Sequence, residues 1–335
     1  MRSISRLSLL ALLAAIVVAL GACGSDDDGG GDPGATAAGT TAAAAGAFPV
    51  TIENTLGSVE IERAPERVVA LDFDSADAAL ALGVTPVAMA RVDYADGGIQ
   101  PWTKRALGGA RPTLFSTTDG YPVEQVAALR PDVILATNAY ELADVYDQLT
   151  RIAPVVGVET AEGDDTWQQA TLRVGRALGR EPQARRLIAD TEATVAQARR
   201  AHPAFEGKTI SFFNMVSGTA WAINDPRDFS IVFLADLGFE LSPPLARLRS
   251  SQGRAQISEE RYDTLDADVV IGTSPDPAEL RALAASPLFR RLDAVRRGAY
   301  VELPLSPATS MAFPSALSVR YGLETIVPRL ARAAG

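Results

Sequence analysis

Arginine and aromatic side chains stand where several predicted strands end and loops begin. The candidates are Arg91, Tyr94, Trp102, Tyr121 and Tyr140 in the first half of the chain, and Trp221, Arg227, Arg247, Arg249 and Arg254 in the second. A guanidinium donates two parallel hydrogen bonds to paired oxygens and stays charged at any working pH. Aromatic rings add contact area and can stack on a ligand. Because loops at strand ends line the clefts of α/β proteins, these residues are candidates for a binding site.

Some of these side chains also have a purely structural interpretation. Trp102 and Trp221 could equally cap a hydrophobic core, since buried tryptophan is ordinary in proteins. Arg247, Arg249 and Arg254 lie in a predicted polar loop, where an arginine can simply be solvated. Two further residues, Met311 and Phe313, could form part of a rim or pack inside.

Catalytic and metal-binding patterns are poorly represented. The chain has one histidine, His202, at the end of a long helical pattern, and one cysteine, Cys23. A zinc site needs several imidazole or thiolate ligands, so direct capture of a bare zinc ion is disfavoured. No G-x-S-x-G motif occurs, which argues against a Ser-His-Asp hydrolase. Paired carboxylates of glycosidase type have no positive support. We therefore predict a protein that is not an enzyme.

Two similar segments each carry a glutamate, then an aspartate and an aliphatic run. The first is V-E-Q-V-A-A-L-R-P-D-V-I-L-A-T from Val123 to Thr137, and the second is E-E-R-Y-D-T-L-D-A-D-V-V-I-G-T from Glu259 to Thr273. Each pattern predicts an amphipathic helix, a tight turn and a buried strand. The duplication therefore predicts two similarly built lobes with a ligand cleft between them.

The elements around these segments predict an α/β fold. A strand at Arg67 to Leu71, a helix at Ser75 to Leu82 and a strand at Pro86 to Ala90 form a β-α-β unit, which implies parallel pairing. The longest helical pattern runs from Thr166 to Ala201 and should break or kink at Gly179 to Pro182. We predict mainly parallel, Rossmann-like lobes at residues 48–165 and 204–335, joined by one long helix at 166–203.

The N-terminus predicts an extracytoplasmic address. Arg2 and Arg6 precede an apolar run from Leu7 to Leu20, too short to span about 30 Å of hydrocarbon, so residues 1–22 are interpreted as a signal peptide. The tetrapeptide Leu20-Gly21-Ala22-Cys23 resembles a bacterial lipobox, in which the cysteine is acylated; the alternative is a plain signal with an incidental cysteine. Residues 24–47 include no large apolar residue, which predicts a flexible stalk over residues 23–47.

Charge excludes one class of partner. Lys and Arg number 31 and Asp and Glu number 41, for a formal net charge of −10. An acidic chain without basic runs argues against nucleic acid. The roughly 285 residues beyond the stalk fit two domains of ordinary size.

The order of several motifs resembles one family of proteins. The motifs are a V-V-A-L strand, an A-L-G-V turn, E-Q-V-A-A-L-R-P-D-V-I-L, a long helix and I-S-E-E-R-Y-D-T-L-D-A-D-V-V. From Phe48 to Leu330 the chain is similar to the substrate-binding lipoproteins of iron-siderophore and cobalamin ABC importers. The resemblance implies the class III periplasmic binding protein fold, a monomer without cofactor, and a membrane anchor through lipidated Cys23.

The resemblance also implies roles for residues. An anionic ferric siderophore would lie between the lobes, lined by Arg91, Tyr94, Trp102, Tyr121, Tyr140, Trp221, Arg227 and Arg254, with iron held by the chelator. Glu124 and Glu260 would pair with arginines of a permease dimer that works with an ATPase. Glu259 competes with Glu260 for that role, and either acid could instead only favour the helix dipole, at about 0.3 to 1 kcal/mol. Cobalamin, haem or another metal chelate is the alternative cargo, and a surface hydrolase is less favoured.

Overall fold

The computed structural model describes residues 43–161, 163–249 and 251–335. The predicted signal peptide, Cys23 and the stalk up to residue 42 lie outside the described residues. The first element is the antiparallel hairpin of β1 (Val50–Asn54) and β2 (Gly57–Ile61). Its alternating apolar residues Ile52, Val59 and Ile61 are buried in the core of the first lobe, as the period-2 pattern requires.

The first lobe contains a five-stranded parallel sheet. Its strands are β3 (Val68–Ala70), β4 (Ala88–Ala90), β5 (Thr113–Phe115), β6 (Val133–Leu135) and β7 (Val155–Val156), in the order β5-β4-β3-β6-β7. Its helices are α1 (Phe73–Ala81), α2 (Pro101–Leu107), α3 (Val123–Ala128) and α4 (Tyr146–Thr150). Hydrophobic cores lie on both faces of the sheet, which explains why its strands are continuous aliphatic runs.

The predicted long helix is two helices, α5 (Trp167–Ala177) and α6 (Glu181–Ala201). They are separated at Gly179, whose φ of +65° suits glycine. Thr166 begins α5 with a capping box to Gln169. Along α6, Ala184 belongs to the core of the first lobe, whereas Val195 and Ala198 pack against the core of the second. The helix therefore joins the two lobes, as predicted.

The second lobe contains a mixed six-stranded sheet. Its strands are β8 (Thr209–Val216), β9 (Thr219–Ile223), β10 (Glu240–Leu241), β11 (Arg254–Ile257), β12 (Val269–Thr273) and β13 (Tyr300–Glu302). The order is β11-β9-β8-β12-β13, with β10 paired to the start of β8. Only the β8-β9 and β9-β11 pairs are antiparallel. Around it lie α7 (Phe229–Asp236), α8 (Pro243–Ala246), α9 (Pro277–Ala285), α10 (Asp293–Arg296), α11 (Leu305–Ala312) and α12 (Ala316–Ala334).

The aspartate of the duplicated segment has the same structural role in each lobe. Asp132 accepts hydrogen bonds from the backbone N–H groups of Glu66 and Arg67 at 2.8 and 2.9 Å, and Asp268 accepts one from the N–H of Thr209 at 2.8 Å. Each aspartate thus fixes the start of the neighbouring strand, β3 or β8.

The second copy differs from the prediction in its helix. Glu259–Leu265 is a 3₁₀ helix rather than an amphipathic α-helix. Its two buried residues, Tyr262 and Leu265, are three positions apart, and residues at i and i+3 share one side of a 3₁₀ helix. In the part of the chain that the structure describes, no helix has both the length and the apolar character that a membrane span requires.

A close helix contact predicts one effect on stability. A Cβ at Gly175 in α5 would collide with the Ala184 side chain in α6. We expect Gly175→Ala to lower the free energy of unfolding by about 1–3 kcal/mol, the usual cost of overpacking, as measured by urea denaturation. Adding Ala184→Gly should restore most of the loss, and a double variant no more stable than the single one would contradict this explanation.

Candidate functional site

The sheet order of the first lobe creates a crevice. The chain passes from β3 to β4 on one side and later to β6 on the other side of β3. Loops leaving β3 and β6 therefore diverge at their carboxyl ends, which is the usual ligand position in such sheets. The loops after β4, β5 and β7 border the same edge, because all five strands are parallel.

A hydrogen-bond network fixes the floor of this crevice. Asp72, the N-cap of α1, accepts from the backbone and hydroxyl of Ser75 at 2.7 and 2.8 Å and from the backbone N–H of Asn138 at 3.2 Å. The Ser75 hydroxyl also lies 2.8 Å from that of Thr137. Asn138 Nδ2 donates to Asp74 Oδ2 at 2.5 Å. These hydrogen bonds thus connect the loops after β3 and β6 across the crevice.

Burial changes the protonation of the acids in α1. Desolvation, together with the negative charge of Asp72, raises the pKa of Asp74 well above its usual value. Desolvation also raises the pKa of Asp77 to about 6, although hydrogen bonds from Thr103, Ser315 and Trp102 oppose the shift. Sequence reasoning missed these residues, although acids inside the apolar pattern of α1 were a visible signal.

Asp77 lies where the two lobes meet. Its Oδ2 accepts from Trp102 Nε1 at 2.6 Å and from the Ser315 hydroxyl at 2.8 Å, and its Oδ1 accepts from the Thr103 hydroxyl at 2.6 Å. Ser315 is the N-cap of α12 in the second lobe and forms a capping box with Ser318. One carboxyl group therefore connects α1, α2 and α12.

The structure contradicts the prediction that Trp102 contacts the ligand. The residue is 3% exposed, and its ring packs on Tyr321 of α12 with ring centroids 5.2 Å apart. The indole lies at the lobe junction because its N–H finds a buried acceptor in Asp77, a common requirement of buried tryptophan. It is a packing residue between lobes rather than a wall of the cleft.

Arg91 and Tyr94 lie on the loop after β4, as predicted. Arg91 Nε pairs with Asp93 Oδ1 at 2.7 Å, and about half of each side chain is exposed. Tyr94 is 49% exposed as a residue. Burial of its hydroxyl end and the charge of Asp74 nevertheless raise its pKa to about 12, and the nearby polar side chains of Gln100 and Thr309 oppose the shift. Because Thr309 belongs to α11, Tyr94 reaches the second lobe.

Two tyrosines meet on the same side of the first lobe. The Tyr121 hydroxyl, before α3, donates to the backbone oxygen of Tyr140 at 2.8 Å. Tyr140 follows β6 and is 53% exposed. Its hydroxyl lies close to Gly163, in the loop before α5. The structure thus brings together the loops after β5, β6 and β7 at one end of the crevice.

One sheet face of the second lobe, which we call the wall, carries Trp221. Trp221 of β9 is paired in register with Asn214 of β8 and Gln256 of β11, so the three side chains share a face. Val216, two residues beyond Asn214, lies on that face as well. Trp221 is 36% exposed and Val216 45% exposed. On the same face, Phe212 and Ile223 belong to the core shared with α7, α11 and α12.

Arg227 and Arg254 flank this wall. Arg254 lies on strand β11 rather than in the predicted polar loop, because its segment pairs with the edge of β9. Arg254 Nη1 contacts Asp228 Oδ2 at 2.7 Å. Arg227 pairs with Asp225 at 3.0 Å and is 89% exposed as a side chain. The pair with Asp225 raises the pKa of Arg227, and the charge of Asp164 in the first lobe adds to the shift.

The remaining candidates lie away from this wall or inside the protein. Met311 is fully buried in the core of the second lobe, and Phe313 packs edge-on against Phe73 at 5.2 Å, so both follow the packing interpretation. Arg247 and Arg249 are exposed after α8. Within the described residues, no group of His, Cys, Asp and Glu side chains is arranged to hold a metal ion.

The two glutamates of the repeat occupy equivalent places. Glu124 is in the first turn of α3, after β5, and Glu260 is in the first turn of the 3₁₀ helix after β11. β11 runs parallel to β8 because both are antiparallel to β9, so each glutamate follows the carboxyl end of a strand. Both are exposed. The neighbouring Glu259 accepts a hydrogen bond from the Ser286 hydroxyl at 2.9 Å.

Comparisons with known proteins agree with this architecture. The family model described as "Periplasmic binding protein" matches residues 68–306. A periplasmic solute binding protein from Mycobacterium smegmatis is 31% identical, with a TM-score of 0.74 over 85% of this chain and 99% of that one. PiaA of Streptococcus pneumoniae, an iron uptake ABC transporter substrate-binding protein solved with ferrichrome, is 29% identical, with a TM-score of 0.71 over 85% and 98%. The Fe(3+)-citrate-binding protein YfmC of Bacillus subtilis is 24% identical over 251 residues, 74% of this chain and 76% of that protein.

Proposed function

The chain belongs to the periplasmic binding protein family, and from that premise we propose that it is the solute-binding component of an ABC importer for a ferric siderophore. It would capture the chelate between its lobes and deliver it to a membrane permease, without making or breaking bonds. The relatives that bind ferrichrome and Fe(3+)-citrate support iron chelates as the class of cargo.

The observation that supports this proposal is the set of exposed side chains that would line the cleft. The first lobe contributes Arg91, Tyr94 and Tyr140 from loops at the carboxyl edge of its sheet, and the second contributes an exposed tryptophan on a sheet face. Aromatic area with a few placed hydrogen-bond donors is typical of small-molecule sites. The hydrogen bonds of Asp77 between the lobes and the single connecting helix α6 would keep the two lobes in a fixed relative position.

Delivery would use Glu124 and Glu260. Opposite charges on a permease dimer would guide docking and set its register. Neither carboxylate has an ion-pair partner within the described residues, whereas Glu259 is engaged by Ser286, which favours Glu260 for the second contact. We further propose that Cys23 is the lipid-anchored N-terminus, that the mature protein is an extracytoplasmic monomer, and that ATP turnover in the importer drives release.

A fluorescence titration tests the binding proposal. Ferric chelates should change the tryptophan emission saturably, with an apparent Kd of about 1 μM or tighter. Trp221→Phe should remove most of the change because Trp221 lies exposed on the proposed wall. Trp167→Phe, at the start of α5, is the matched control and should retain it. A response to cobalamin or haem but to no ferric chelate would instead support the alternative cargo.

A further inference from the structure

Every arginine proposed to contact the ligand already has a carboxylate partner. The pairs are Arg91 with Asp93 at 2.7 Å, Arg227 with Asp225 at 3.0 Å, and Arg254 with Asp228 at 2.7 Å. Each pair has a net charge of zero. The cleft therefore presents guanidinium donors without presenting the net positive charge that the sequence alone suggests.

Local hydrogen bonds hold the aspartates in these positions. Asp225 Oδ1 accepts from the backbone N–H of Arg227 at 2.9 Å, and Asp228 Oδ1 accepts from that of Ser230 at 2.9 Å, as the N-cap of α7. Asp93 Oδ2 accepts from the Thr118 hydroxyl at 2.5 Å. Hydrogen bonding to Arg227 also lowers the pKa of Asp225. An incoming anion would therefore meet a fixed carboxylate beside each arginine.

A further acid adds to the negative field around Arg227. Asp164 is close enough to act on Arg227 from the opposite lobe. Like charges brought together at an interface weaken binding. An anionic ligand is therefore disfavoured, unless it displaces the aspartates.

The paired arginines can still donate hydrogen bonds to a neutral ligand. A guanidinium has five N–H donors, and Arg91 uses its Nε and Arg254 its Nη1 in their pairs. The remaining N–H groups can donate to oxygen atoms of a chelate. Pairing with aspartate also orients the planar guanidinium before the ligand arrives, which reduces the entropy lost on binding.

We infer that this cleft selects ferric chelates that carry no net negative charge, and that Asp225 and Asp228 set this preference by neutralising Arg227 and Arg254. Three singly charged hydroxamates balance Fe³⁺, so a trihydroxamate such as ferrichrome is neutral, whereas a ferric dicitrate complex is anionic. The inference rests on the proposed function, because it specifies the charge of the cargo in the same site.

Binding of ferrichrome and of ferric dicitrate to the full mature protein tests the inference. Calorimetry at low and moderate salt should show ferrichrome binding at least about tenfold more tightly than ferric dicitrate, in keeping with the cost of like charges. Asp225→Asn combined with Asp228→Asn should tighten dicitrate binding about tenfold and change ferrichrome binding less than about threefold. Asparagine keeps an acceptor for the backbone N–H groups and can still cap α7.

The control variant is Asp119→Asn, on the exposed loop after β5. It removes one negative charge without freeing an arginine, so it should leave the preference unchanged. Equal or tighter binding of dicitrate to the unmodified protein would overturn the inference while leaving the proposed function intact. An unchanged preference in the folded double variant would also overturn it. A fluorescence titration in which no ferric chelate binds would instead refute the proposed function itself.

Discussion

Replacing Glu124 and Glu260 together by alanine is expected to abolish import of the chelate and to leave its binding affinity unchanged. Both carboxylates are exposed in the first turns of equivalent helical segments, outside the walls of the cleft. Their removal should therefore affect docking alone. Uptake of radiolabelled iron chelate by cells carrying each variant, together with calorimetry on the purified proteins, measures the two effects separately.

Single variants and a neighbouring residue provide the controls. Each single alanine should leave part of the uptake, because one lobe can still engage its permease subunit. Glu259→Ala should retain nearly all of it, since Glu259 is bound to Ser286. Substantial import by the double variant, or a loss of chelate affinity in it, would refute the docking role and support the simpler interpretation of two acids that favour helix dipoles.

Replacing Asp77 by alanine is expected to lower the free energy of unfolding by about 3 kcal/mol. The change leaves the Trp102 N–H and the hydroxyls of Thr103 and Ser315 without their acceptor. An unsatisfied buried group costs about 1–3 kcal/mol, and relief of the desolvated carboxylate offsets part of the sum. Because Ser315 belongs to the second lobe, the contact between lobes should loosen as well. Urea denaturation measures the first effect and hydrogen exchange at the start of α12 the second.

Asp77→Asn is the matched control, because an amide retains an acceptor in the same place. It also isolates the effect of pH. The pKa of Asp77 is raised from 3.8 to about 6 in the folded state, so between these values the folded protein binds a proton that the unfolded chain has lost. Protonation of Asp77 therefore stabilises the folded state. This contribution to the free energy of unfolding is about 3 kcal/mol; it is complete below pH 4 and is lost as the pH rises through 6. Acidification from pH 7 to 4 should thus stabilise the unmodified protein relative to Asp77→Asn; an equal pH dependence would contradict it.

Local signals in the sequence were sufficient for the main elements. The aliphatic runs at Val133 and Val269 became central strands, and Gly179 separates α5 from α6. Arg91 and Arg227 lie on loops as predicted, and an aspartate two residues away partners each. Those pairs could have been predicted, because residues at that spacing in a turn are within reach of one another.

By itself, the sequence determined two mainly parallel α/β lobes, a single helical connection and the equivalence of Glu124 and Glu260, since these follow from periodicity, from turn residues and from a repeated motif. Only the tertiary structure decided that Trp102 is buried at the lobe junction, that Arg254 belongs to a strand, and that Asp228 neutralises it. Burial, strand pairing and ion pairing between distant positions depend on which surfaces meet in the folded chain. The conformational preferences of short segments carry no information about contacts between residues that are distant in sequence.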